Sequence, residues 1–497
     1  MKIFVSQVLA LLFPLITQIS TNPQSVTDGQ DPYSDRNRPD DKLLVVVIDG
    51  FRWDYISRFT RRSRQGFPGF EEFIRGGVQS EYLKSVFPAE SFPSWQTIST
   101  GLYPENHGIL ANQFYDTTAR GPNQAKFFNH IDERMTGDVR WWHDPEPIWA
   151  TAQKQGKDFV TFLWSRCDVK WDDVNPITPK VCENVYHKDN SKTLHINLDM
   201  ALMEFQMGRS AALIYEDSLG KAAESFGPLS KNVEMQLRAL DKSIQNFLVR
   251  LREVRMDQIV NVVILSDHGM TYGSNPIPMH HPPSFPFNTV EVRQIRMSYI
   301  LKSVQRLIKV TVGSGAYMQI YPRQERFIPE IVEALRAELD GKGVDVYTRD
   351  EIPDHLHWRD NVNTPPILIL ARPGVILLRA GGNLQRPASS LQLNGGGYDS
   401  ARITEQTQQG VSGYDPEETD MRGVFMARGP GFHADGHTYA PIELVDVYQM
   451  FCFLLNIDPQ SNDGVWDRIR AMLRNSSAPT NANWSILLAA LWILLKM

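Results

Sequence analysis

Cysteine is scarce. Of 497 residues only three are cysteine, Cys167, Cys182 and Cys452. That excludes a small fold held together by disulfides. Basic residues are not in excess either: 51 Lys and Arg face 57 Asp and Glu, a formal net charge of −6. Nucleic-acid binders need clustered cations to neutralise phosphates, so that class is set aside. No internal repeat of 20–50 residues is visible, which removes solenoids and propellers. What is present is apolar. At 42% hydrophobic, with 11 Trp, 16 Tyr and 24 Phe, the chain can bury a large core. A disordered protein is thereby excluded.

The two ends read as addresses. Residues 1–20, MKIFVSQVLALLFPLITQIS, place one lysine before an apolar run. This reads as a secretory signal peptide, the alternative being a buried first element. Residues 21–41 are rich in Pro, Asp, Ser and Asn and read as a flexible lead-in. Residues 475–497 start with small residues, continue through a polar spacer and end in an apolar tail from Ile486 to Leu495. Ten residues rise only ~15 Å as a helix, half of a bilayer core. A GPI-attachment signal fits this pattern, with a short transmembrane or docking helix as the alternative. Both readings predict the outer face of the plasma membrane. Removing both ends leaves 49 − 57, a charge of −8. The two N-x-[ST] sequons, Asn475 and Asn483, lie in the tail.

Cys167 and Cys182 flank a loop with two prolines and are predicted to pair in an oxidising compartment. Cys452, within VYQMFCFLL, reads as a buried free thiol. It leaves the oligomeric state open.

Apolar runs mark strands. KLLVVVID (Lys42–Asp49) ends in an acid, and Phe159–Trp164, Ala211–Tyr215, Val260–Ser266 and Gly423–Ala427 resemble it. Val233, Leu237, Leu240, Ile244, Phe247, Leu248 and Leu251 keep helical spacing between two of these runs. The alternation predicts an α/β fold: a mostly parallel sheet covered by helices, with ligands beyond the strand C-termini. Residues 272–408 differ, with strand-like runs at Val310–Tyr321 and Pro366–Arg379. They are read as a small inserted α+β subdomain, which leaves 42–271 and 409–474 as one discontinuous domain.

Two strand ends carry acids: Asp49, and Asp267 beside His268. Carboxylates with an imidazole are ligands that suit zinc. Ser91, after a Pro-containing loop and before a helix, reads either as a nucleophile or as a helix cap. Spacing reveals no Ser-His-Asp constellation, so metal activation is the expected route.

These residues resemble a known family. GFRWDYI after Asp49, Ser91 with FP, TGLYPENHGI, Asn112, SDHGM, and GYD before MRGVFMARGPGF are similar to the ectonucleotide pyrophosphatase/phosphodiesterases of the alkaline phosphatase superfamily. The resemblance spans about residues 42–474 and is strongest to the choline-specific glycerophosphodiesterase branch. It implies an alkaline-phosphatase-like three-layer α/β/α sandwich. It also implies a membrane lipid anchor and release of phosphocholine. The family uses two zinc ions. One site corresponds here to Asp49, Ser91, Asp267 and His268; Asn112 matches a donor to the phosphate oxygen. Tyr215 matches an aromatic of the choline pocket, or is a strand-end core residue.

The second site departs from the pattern. Counting back from Gly227-Pro228, the family's Asp position holds Gly220 and its first His position holds Glu224. Before Gly413-Tyr414-Asp415 the second His position holds Ser412. Asp217, Glu216, His433 and His437 are the candidates for rescue. Loss of three ligands implies one zinc rather than two, and weak or no turnover. The alternative is an active phosphodiesterase running on the retained site, releasing phosphocholine or cleaving nucleotides. Restoring Gly220→Asp, Glu224→His and Ser412→His is expected to return a second metal.

Overall fold

The computed structural model describes residues 41–119, 126–171, 177–187, 193–274, 291–379 and 409–474. The signal-peptide and tail readings, with Asn475 and Asn483, lie outside them. Among the described residues no helix is long and apolar enough to cross a membrane.

The apolar runs become the centre of an eight-stranded sheet. Its strands are β1 (Lys42–Ile48), β2 (Val78–Ser80), β3 (Phe159–Phe162), β4 (Val181–Cys182), β5 (Ala211–Glu216), β6 (Val260–Leu265), β7 (Phe425–Arg428) and β8 (Thr438–Tyr439), in the spatial order β8-β2-β7-β6-β1-β5-β3-β4. β1 pairs in parallel with both β5 and β6. Every residue of β5 and β6 is buried, and six of the seven in β1. This is why they read as continuous apolar runs rather than alternating ones. β7 departs from the parallel rule and runs antiparallel to β6 and β2.

Helices cover both faces. Leu44, Val46 and Ile48 of β1 share one apolar cluster with residues of α2 (Leu194–Gln206) and α4 (Lys231–Glu253). All seven apolar positions that predicted α4 are buried in it, and the Ser230 hydroxyl caps its start by accepting from the Val233 N–H. Burying such side chains contributes about 1.5–3 kcal/mol each. The opposite face of β1 meets α5 (Asp446–Leu455), which also packs on α1 (Ser91–Thr100). α3 (Ser218–Phe226) lies between β5 and α4 in the chain. Cys167 and Cys182 form the expected disulfide, and Cys452 is a buried free thiol.

Residues 308–371 form a separate four-stranded antiparallel sheet in the order Ile308–Val312, Tyr317–Pro322, Ile367–Ala371, Val344–Thr348. Each strand-like run read from the sequence is thus two strands, broken at Gly313–Ala316 and Arg372–Gly374. At the base of this region Thr271–Tyr272 pairs with Gly410–Val411 as a small sheet of its own, and the chain re-enters the eight-stranded sheet at β7.

Candidate active site

Strand register assembles the acids. Val47 stands opposite Tyr215 on one side and Leu265 on the other. Two residues further along each chain, Asp49, Asp217 and Asp267 reach the same level at the strand C-termini. Two loops are tied together there: the Phe51 N–H donates to Ser266 Oγ at 2.9 Å, and the Ser266 hydroxyl donates to the His268 carbonyl at 2.7 Å.

Asp49, Asp267 and His268 form the one His/Cys/Asp/Glu group among the described residues suited to a metal, their ligand atoms within 4.8 Å of one another. His268 Nδ1 lies 2.8 Å from the Gly269 carbonyl. A carbonyl only accepts, so Nδ1 holds the proton and Nε2 presents a lone pair. That Nε2 lies 3.3 Å from Ser91 Oγ, 3.6 Å from Asp49 Oδ1 and 3.7 Å from Asp267 Oδ2. Asp267 Oδ1 accepts from the Gly50 and His268 N–H groups at 3.2 and 2.9 Å, yet its Oδ2 is buried with no hydrogen-bond partner. Lone pairs converging in a buried site call for a cation. Two carboxylates, an imidazole and a hydroxyl are a fitting zinc donor set. Burial pushes the Asp49 carboxyl well up, and Asp267, Glu224 and Asp217 add to this by repulsion; a hydrogen bond from Tyr215 opposes it.

Ser91 is the first residue of α1, and Glu90 holds the N-cap position. The cap reading of Ser91 is therefore replaced: its hydroxyl faces His268. Asn112 Oδ1 instead accepts from the Phe92 N–H at 3.0 Å, one of the four N–H groups that a helix start leaves unpaired. Fixing Oδ1 in this way frees the Asn112 amide N–H groups to donate elsewhere. Tyr215 is 4% exposed, its ring 4.4 Å from that of Trp95 in a T-shaped contact, and it lies beside Asp49 and Ser91.

The second set does not converge. A Cβ built on Gly220 would lie 2.2 Å from Asp49 Oδ2 and 2.4 Å from its Cγ. Glu224, half-buried on α3, has its carboxyl pushed up by burial, with His268 opposing. Asp217 pairs with Lys221 at 2.7 Å, and Glu216 Oε1 accepts from the Ser218 N–H at 2.9 Å. Glu216, Asp217, Glu224, His433 and His437 add no ligand to the metal group. Gly220 has no side chain, and Ser412 only a neutral hydroxyl. Among the described residues these positions form no second group with the spacing of metal ligands.

One functional position went unread in the sequence. Glu90 Oε2 accepts from the Asn112 N–H at 2.7 Å and from the Tyr317 hydroxyl at 3.0 Å. Burial pushes its carboxyl up. The only sequence signal was its place immediately before Ser91.

A sequence model of the type I phosphodiesterase / nucleotide pyrophosphatase family matches residues 43–415. The human bis(5'-adenosyl)-triphosphatase ENPP4 is 26% identical over 438 residues, 87% of this chain and 82% of that protein. Human ectonucleotide pyrophosphatase/phosphodiesterase family member 7 is 27% identical over 444 residues, 88% and 84%. The solved structure of human ectonucleotide pyrophosphatase/phosphodiesterase 5 superposes with a TM-score of 0.70 at 24% identity, covering 87% of this chain and all of that one. An inactive murine variant of that protein in complex with AMP matches equally well.

Proposed function

The chain belongs to the ectonucleotide pyrophosphatase/phosphodiesterase family, and on that footing we propose that it binds a nucleotide-like phosphoester at Ser91 beside a single zinc ion, with little or no catalytic release. The observation that carries this is the asymmetry of the two metal positions. At one, Asp49, Asp267, His268 and Ser91 converge, with Asp267 Oδ2 left for a metal. At the other, Gly220 and Ser412 bring no strong ligand.

Bound zinc would supply positive charge at the serine oxygen and the phosphate. The chain's own groups do the rest. Ser91 stands at the N-terminus of a ten-residue helix, where the backbone dipole favours an anion. The free amide N–H groups of Asn112 donate to a phosphoryl oxygen. Two-metal sites stabilise both the attacking and the leaving oxygen. Losing one charge removes several kcal/mol, a factor of roughly 10³ or more in rate.

The AMP complex of the murine relative and the triphosphatase name of ENPP4 support a nucleotide-like ligand. A choline ligand is less supported, because Tyr215, the aromatic matched to a choline pocket, is only 4% exposed. The secretory and lipid-anchor readings of the ends belong to the same proposal and place the site outside the cell.

The test is to purify the chain, count zinc, titrate AMP by calorimetry and assay diadenosine triphosphate and glycerophosphocholine beside Ser91→Ala. About one zinc, AMP binding and no turnover above Ser91→Ala are expected. Turnover clearly above that control would overturn the loss of release.

A further inference from the structure

Gly220 is more than a lost ligand. The carboxylate of Asp49 stands where a side chain at 220 would begin, with Oδ2, Cγ and Oδ1 at 2.2, 2.4 and 2.8 Å from the built Cβ. Real Cβ atoms do not approach other atoms so closely. The backbone behind it cannot retreat. A Cβ on Gly50 would lie 3.2 Å from Gly220 Cα, and Gly50 itself has φ +62°, so two glycines meet where the β1 loop passes α3. Nor does the Asp49 side chain have open space to swing into, since only 9% of the residue is exposed.

We infer that Gly220 is a positioning residue: the space left by its missing side chain holds Asp49 in place as a ligand of the retained metal position. This rests on the one-metal reading above. It also reverses the expectation for repair. Gly220→Asp, Glu224→His and Ser412→His drive a new side chain into the ligand that the first site needs, so the triple variant does not gain a second zinc.

A double-mutant cycle on the full chain tests it, with zinc affinity read by competition against a chromophoric chelator. Gly220 has no positive φ, so its helical backbone accepts alanine and Asp49 is the obstacle. Gly220→Ala is expected to weaken zinc binding roughly 10–100-fold, as loss of support for a metal ligand does. In the Asp49→Ala background the same change is expected to have no effect on zinc affinity. Thermal midpoints of the metal-free proteins form a second cycle with the same sign. If Gly220→Ala fails to fold, the Asp49→Ala/Gly220→Ala protein is expected to fold, and failure of both would overturn the inference. Unchanged zinc affinity in Gly220→Ala, or an equal loss in both backgrounds, would also overturn it. If the unmodified chain binds no zinc, the one-metal reading is what fails, and the metal-free cycle still decides the role of Gly220.

Discussion

On the proposed function Asn112 performs two tasks through two atoms, and substitution can separate them. Its Oδ1 pairs the Phe92 N–H at 3.0 Å, and its amide N–H groups are left for the phosphate. Asn112→Ala removes both. Losing a cap of this kind costs about 1 kcal/mol of stability, within a range of 0.5–2. Losing a donor to an anionic oxygen costs about 1.5–3 kcal/mol, roughly 10–150-fold in AMP affinity. Asn112→Asp keeps an acceptor for Phe92 but replaces the donor with an anionic oxygen. It is therefore expected to hold stability near that of the unmodified chain while losing at least as much AMP affinity as the alanine variant. Urea unfolding and AMP calorimetry on both variants read the two effects. If Asn112→Asp binds AMP as tightly as the unmodified chain, the amide is not the phosphate donor. If it is as unstable as Asn112→Ala, the capping bond contributes nothing.

Other outcomes follow from the same geometry. Attack by Ser91 Oγ on a phosphodiester would form a serine–phosphorus bond, break the bond to the leaving alcohol and release that alcohol with its proton. Intact-mass measurement after incubation with a chromogenic nucleotide diester is expected to show a stable adduct, absent in Ser91→Ala; no mass gain would remove single-turnover attack. Reducing the Cys167–Cys182 bridge frees a loop with a separation of 15 residues, and unfolding free energies from urea titrations with and without reductant are expected to differ by about 3 kcal/mol. His107 is 1% exposed, accepts from the Ile109 N–H at Nδ1 and faces Thr97 Oγ1 at 3.1 Å through Nε2; burial pushes its pKa down to about 3. The unfolded chain takes up a proton near pH 6.5 that the folded chain refuses down to about 3. The stability from neutral His107 is thus present above pH 6.5 and is lost as pH falls, by about 2 kcal/mol at pH 5. His107→Gln is expected to flatten that slope in pH-dependent unfolding.

The strands and α4 were legible because burial writes itself into local pattern. β1 and β6 are continuous apolar runs, and α4 shows its buried stripe at 3.6-residue spacing. The group suited to a metal, Asp49 with Asp267 and His268, was legible because it sits at strand ends within recognisable motifs. What pattern could not carry was contact between distant residues. Glu90 meets Tyr317 across 227 positions, and Ser91 meets His268 across 177. The packing of Tyr215 against Trp95 is likewise a contact between residues far apart in the chain. Gly220 was readable as an absent ligand. That its vacancy is filled by Asp49 needed the close approach of Gly50 and Gly220 in space.

The bond from Tyr317 to Glu90 changes how the smaller sheet should be regarded. Chain topology alone would let a protein engineer cut that region out, since Thr271–Tyr272 and Gly410–Val411 bring its two ends side by side. Yet Tyr317 grips the residue that precedes the serine and shares its carboxylate with the backbone of Asn112. An excised or transplanted version would keep its sheet and its metal-suited group while the turn that carries Glu90, Ser91 and Asn112 loosened. The insert is better treated as part of the working parts than as an accessory bolted beside them.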